Sequence, residues 1–197
     1  MNIAKHIGAT KIIGIDLDDK KVEKARRNGM VTAKADLNGK WPLDDDSVDV
    51  VFANQVIEHI VDIDNFVGEI FRVLRRGGYV LICTENLASW HNIFALLLGD
   101  QPYSGPHVSI RYSIGHHPLH PQADDGIYSN IAITKHNTVM AYKALKKILR
   151  VYGFRVEKIT GSGYYPFPRP IARFLCRLDP AHSHFLTVKS RKPRNID

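Results

Sequence analysis

The chain has 197 residues, 44% of them apolar and 24% charged, enough for one α/β domain with a buried core. Its longest apolar run, 93–98, is far short of the roughly 20 residues of a membrane span, and its first residues have no signal-peptide core. Two cysteines, Cys83 and Cys176, give no disulfide framework, so a cytoplasmic location is expected; the net charge of +7 is scattered along the chain and does not by itself point to nucleic acid.

Taken in order, KIIGIDL (11–17) is an apolar run closed by an acid, the pattern of a buried parallel strand. A charged helix follows over 18–28, with Val22 and Ala25 inward and Gly29 as its stop. Residues 31–35 form a weaker strand before Asp36, Asn38-Gly39 and Trp41-Pro42 make turns, and VDVVFA (48–53) is the next strand. Ile63, Phe66, Val67, Ile70 and Leu74 share one face of a helix over 62–76, capped by Asp62 and ended by Gly77-Gly78. YVLICT (79–84) is a third buried strand, and 90–98 a short helix. Residues 99–131 lack periodicity and are rich in Gly, Pro, His and Ser, which suits a substrate lid or insert. A helix over 138–152, the strand FRVEKIT (154–160), a Gly/Tyr/Pro connection over 161–170 and the strand HFLTVKS (184–190) complete the chain. Alternating strands and helices predict a parallel sheet, and two final strands joined by a loop predict an antiparallel pair at its edge.

In such a sheet, ligands bind at the carboxyl ends of strands. Asp16, Asp36 and Asn54-Gln55 stand at three such ends. A carboxylate there can accept from both hydroxyls of a ribose, and a second can accept from an adenine amino group; singly, each is as consistent with a turn or helix cap. The order of the three raises their significance.

The segments GIDLDDKKVEKAR, ADLNGKWPLDDDSVDVVFANQVIEH, FRVLRRGGYVLICTEN and ALKKILRVYGFRVEKI resemble class I S-adenosylmethionine-dependent methyltransferases of the type 11 kind, and the resemblance runs from about residue 5 to 193. It implies a Rossmann-like, doubly wound, mostly parallel sheet with an antiparallel C-terminal strand pair. It also implies S-adenosylmethionine as cofactor, with Asp16 on the ribose, Leu17 against the adenine, Asp36 on the adenine amino group beside the Leu37 backbone, and Asn54 and Gln55 near the methionyl part. Leu17 and Leu37 are equally readable as plain core. That family opens with a strand and a glycine-rich loop that this sequence lacks. The expectation is therefore a single domain over 1–197, truncated at its N-terminus, with the first, central strand and the loop absent.

Gln55, Glu58 and His59 are similar to a Glu-x-x-Glu-His pattern that binds a divalent metal in some ubiquinone-pathway and RNA-end methyltransferases. A neutral amide replaces the first carboxylate and is a poorer ligand for a hard cation, so no metal is expected. His59 is the weak candidate for a catalytic base, beside its reading as a structural histidine. His107, His116, His117, His120 and His136 gather around the long loop without a cysteine or firm acidic partner. The resemblance implies methyl transfer to an unidentified acceptor, with a small molecule expected. One alternative is a catalytically inactive remnant acting through protein contacts. A nicotinamide-dependent dehydrogenase is a second, disfavoured by the C-terminal strand pair and the Asp36-Leu37-Asn38 loop.

Overall fold

A computed structural model of the chain describes residues 6–106, 108 and 136–195. The chain divides between Asp44 and Asp45 into two units, each with its own sheet.

In the first unit, β1 (Ile13–Asp16) and β2 (Val31–Lys34) pair in parallel, with Asp16 opposite Lys34, and α1 (Asp19–Arg27) joins them. The Asp18 side chain accepts from the Lys20 N–H at the helix start, while Lys24, Arg26 and Arg27 occupy the last turn, where cations favour the helix dipole. Val22 is the buried residue of α1, and Gly29 leaves the helix at φ +82°, a conformation that favours glycine.

The second unit runs through β3 (Val48–Asn54), a 3-10 turn (Ile57–His59), α2 (Ile63–Val73), β4 (Leu74–Glu85), α3 (Trp90–Leu97), α4 (Tyr142–Val151), β5 (Arg155–Ser162), α5 (Arg169–Leu178), a second 3-10 turn (Pro180–His182) and β6 (Phe185–Arg191). Its sheet has the order β3-β4-β6-β5; β3 and β4 are parallel, and β6 is antiparallel to both neighbours. The expected antiparallel C-terminal pair is therefore present. Phe66 and Ile70 of α2, Ile82 of β4, Leu145 and Leu149 of α4 and Leu186 of β6 are all almost completely buried. Burying such side chains contributes roughly 1.5–3 kcal/mol each. No helix among the described residues is long and apolar enough to cross a membrane.

Two elements depart from the sequence reading. Helix α2 ends at Val73, not Arg76, because Leu74 is already extended at ψ 133° and begins β4. The β3–β4 register jumps from Val48↔Leu74 to Val50↔Tyr79, so residues 75–78 form a bulge. A Cβ on Gly78 would come within 2.8 Å of the Asp49 carbonyl oxygen and 2.9 Å of that of Arg75, so this glycine serves the bulge and not a helix stop. The second departure is α5, a helix where only a connection was expected. Pro170 reads as a loop residue but sits in the first helical turn, where its missing N–H leaves no bond unmade.

The C-terminal end of β5 also has a steric requirement. A Cβ on Gly161 would lie 2.3 Å from Ser183 Oγ and 2.5 Å from Ser183 Cβ. Ser183 is fully buried, and its hydroxyl sits 2.8 Å from the Pro180 carbonyl oxygen and 3.0 Å from that of Phe185. It therefore has little freedom to give way. Gly161→Ala is expected to destabilise the protein by about 2–3 kcal/mol, and adding Ser183→Gly should recover most of that loss. Thermal melting of the single and double variants checks this; a single variant melting with the wild type would defeat the steric account.

Candidate functional site

Polar side chains gather at strand ends in each unit. In the first, Asp16 closes β1, and its Oδ1 accepts from the Asp18 N–H at 2.9 Å. Its Oδ2 lies 3.6 Å from Lys21 Nζ at the surface. The Ala35 N–H donates to the Asp16 carbonyl at 3.3 Å, so Asp16 and Asp36 stand at the same end of the β1–β2 pair. Asp36 Oδ1 accepts from the Asn38 backbone N–H at 2.9 Å and from Asn38 Nδ2 at 2.8 Å, bonds that hold its carboxyl below the ordinary range. Leu17 is 59% exposed, which removes its reading as core. Leu37 is half-buried, and its carbonyl accepts from Trp41 Nε1 at 3.3 Å. A carboxylate, an open apolar side chain and a second carboxylate are together suited to a ribose, an aromatic ring and an exocyclic amine.

In the second unit, Asn54 is the exposed last residue of β3. Gln55 follows at φ +53°, in the left-handed region that non-glycine residues seldom enter, and its N–H donates to the Cys83 carbonyl at 2.8 Å. The backbone then enters the 3-10 turn that buries Glu58 completely and leaves His59 half-buried. Thr84 Oγ1 donates to Glu58 Oε2 at 2.8 Å. The Asn137 and Thr138 N–H groups donate to the Glu58 carbonyl, and Asn137 Nδ2 donates to that of His59 at 2.7 Å. These bonds tie the segment before α4 to the turn and bring His136 against His59, with ring centroids 5.0 Å apart.

Glu85, at the carboxyl end of β4, completes the group. Its Oε2 lies 3.4 Å from His136 Nδ1. Burial, reinforced by the charge of Glu58, pushes the Glu85 carboxyl up to about 7, against a hydrogen bond from the Ser104 hydroxyl that favours its charged form. Ser104 is itself fixed: it is buried, its N–H donates to Asn92 Oδ1 at 3.0 Å, and its hydroxyl is 3.3 Å from His91 Nε2. Of the lid expected over 99–131, residues 99–106 and 108 are described. The remainder lies outside the described residues, as do His107, His116, His117 and His120.

Asp16, Leu17, Asp36 and Leu37 thus fall in the first unit, and Asn54, Gln55 and His59 in the second. Glu85 was absent from the sequence reading, although the rule that selected Asp16, an acid closing an apolar strand, applies to it equally. His136 appeared there only as one of the loop histidines.

The methyltransferase domain family model matches residues 1–82, a stretch that includes β1, β2, β3 and the Glu58-His59 turn. A probable S-adenosylmethionine-dependent methyltransferase of Mycolicibacterium smegmatis is 46% identical over 79 residues, 40% of this chain and 31% of that protein. One from Mycobacterium tuberculosis is 40% identical over 80 residues, 40% of this chain and 29% of that protein. The matched stretch thus spans about a third of the length of these curated relatives. The fold likeness extends over nearly the whole chain. A SAM-dependent methyltransferase structure from Methanosarcina mazei aligns with a TM-score of 0.64 at 12% identity, covering 94% of this chain and 83% of that one. One from Mesorhizobium loti aligns at 0.58 and 20% identity, covering 96% and 84%. The α/β architecture with mixed sheets is therefore that of Rossmann-like methyltransferases.

Proposed function

We propose that the full-length protein transfers a methyl group from S-adenosylmethionine to an acceptor, with a small molecule favoured over nucleic acid. The observation that carries this reading is the pair of carboxylates, Asp16 and Asp36, at one end of a parallel strand pair inside the stretch that matches the methyltransferase domain. In this assignment Asp16 accepts from the ribose hydroxyls through Oδ2, the oxygen not committed to the Asp18 N–H. Exposed Leu17 packs on the adenine. Asp36 accepts from the adenine amino group beside the Leu37 backbone.

The cofactor supplies a methyl already made electrophilic by its sulfonium. The protein's task is then to align the acceptor in line with the methyl and to exclude water, which requires no compulsory acid or base. The candidate base, His59, sits in a cluster with Glu58 and His136 that suits ligation better than proton transfer.

Calorimetry on the full-length protein, with S-adenosylmethionine and a nicotinamide dinucleotide titrated in parallel, tests the reading. The expected result is saturable S-adenosylmethionine binding in the micromolar range and none of the dinucleotide. The reverse preference, or no S-adenosylmethionine binding by the folded protein, defeats it.

A further inference from the structure

Glu58, His59 and His136 each offer one ligand atom, and these atoms all lie within 4.8 Å of one another. In a four-coordinate site with bonds of 2.0–2.2 Å, two ligand atoms are at most about 4 Å apart, so small side-chain rotations close the set around an ion. We infer that Glu58, His59 and His136 form a binding site for a divalent first-row transition metal.

A second observation points to a ligand independently of this spacing. Glu58 is completely buried, and while Oε2 takes the Thr84 hydroxyl, Oε1 has no hydrogen-bond partner among the described residues. A buried carboxylate oxygen left without a donor carries its full desolvation penalty. Among the described residues no donor reaches Oε1, and the two imidazoles offer ring nitrogens within 4.8 Å of the Glu58 carboxylate. A cation shared between Oε1 and the two rings satisfies the oxygen and neutralises the charge together.

The surroundings fit a metal more closely than a plain salt bridge. Metal-bound histidines commonly present their other ring nitrogen to a carboxylate, which fixes the ring and raises its basicity. Glu85 Oε2 lies 3.4 Å from His136 Nδ1, within ion-pairing distance but outside hydrogen-bond geometry, so a small rotation of the ring would bring the carboxylate into that role. Asn137 Nδ2 on the His59 carbonyl, and the Asn137 and Thr138 N–H groups on the Glu58 carbonyl, hold the two stretches of chain together from the outside. The donor set of two nitrogens and one carboxylate selects the class of ion. Imidazoles suit zinc, cobalt, nickel and iron, whereas magnesium and calcium take oxygen ligands. Three protein ligands in a four-coordinate site leave one position for water or another small ligand.

The test uses the full chain, stripped with a chelator and titrated with Co2+ or Zn2+ alone, followed by visible absorption and calorimetry respectively. One equivalent should bind, with cobalt absorption characteristic of a low-coordinate nitrogen and oxygen site. His136→Gln and Glu58→Gln should each weaken binding by at least about 100-fold, and Glu85→Gln by about 10-fold through the ring it orients. The His136 side chain keeps 15% exposure where Glu58 is completely buried, so His136→Gln carries the test if Glu58→Gln fails to fold, as circular dichroism will report. His182→Gln, whose ring pairs with Asp179, should bind as the wild type does. A chain with His107, His116, His117 and His120 all changed to Gln should keep the equivalent. The inference is overturned if the wild type binds no stoichiometric ion, if His136→Gln binds with unchanged affinity, or if the fourfold variant loses the site.

Discussion

Lys192→Met is expected to destabilise the protein by about 3 kcal/mol, lowering the melting temperature by about 6–12 °C. Lys192 belongs to the basic C-terminal stretch, yet it is only 5% exposed. Its ammonium donates to the carbonyl of Phe71 at 2.8 Å, to that of Leu74 at 2.8 Å and to Asp46 Oδ1 at 2.7 Å, and it lies over the Phe71 ring. Two of these acceptors are carbonyls at the C-terminal end of α2, where the helix has no further N–H to offer. A cation there is favoured by the dipole and replaces the donors that the chain lost on turning into β4. Methionine keeps the apolar stem and removes the donor, leaving the buried carbonyls without it. Asp46→Ala should cost far less, because that carboxylate is half exposed and its pairing is screened. Differential scanning calorimetry of both variants decides the matter; equal melting of Lys192→Met and wild type would mean that water replaces the ammonium without loss.

What could be read from the sequence divides along physical lines. Strands such as 48–53 and 79–84 are short runs rich in β-branched and apolar residues, and their existence follows from composition alone. Helices α2 and α4 carry their large apolar residues on the face that is buried, so periodicity finds them. Helix α5 inverts this relation. It buries the small residues Ala172 and Cys176 and leaves Ile171, Phe174 and Leu178 exposed, so the hydrophobic pattern does not report its packing. The α2 boundary was misplaced because Gly77-Gly78 has two valid readings, a helix stop and a bulge. Only the register of β4 against β3 distinguishes them. The burial of Lys192 has no local signal, because its three acceptors are more than a hundred positions away in the chain.

The candidate site shows the same division. Asp16, Asp36 and Gln55 were legible because each follows an apolar strand, and strand ends face ligands in this architecture. His136 was not, since its place beside Glu58 depends on the long-range bonds from Asn137 and Thr138 to the turn after β3. Those bonds join residues separated by the least regular part of the sequence, and no local rule anticipates them. Glu85 is legible in principle, but the apolar run YVLICT ends at Thr84, and the strand continues one residue further to the acid.

In the full-length protein, Asp16→Ala is expected to weaken S-adenosylmethionine binding by about 1.5–3 kcal/mol, roughly 10- to 150-fold. The loss comes from charge-assisted hydrogen bonds to the ribose, which a methyl group cannot replace. Asp36→Ala should cost less, since its carboxylate accepts from one neutral amine and already spends Oδ1 on Asn38. Asp16 also has a local role that must be separated from ligand binding: its Oδ1 accepts the Asp18 N–H and shapes the turn into α1. Asp16→Asn separates the two. The Asn carbonyl oxygen can still accept from Asp18, so the turn survives, but the second oxygen becomes an amide that donates and cannot accept from a ribose hydroxyl. Both variants should therefore lose affinity in calorimetry while keeping the wild-type melting temperature to within a few degrees. Full affinity in Asp16→Asn with loss only in Asp16→Ala would assign the residue to the turn and remove it from the ribose. Unchanged affinity in both would place the cofactor's ribose elsewhere in the protein.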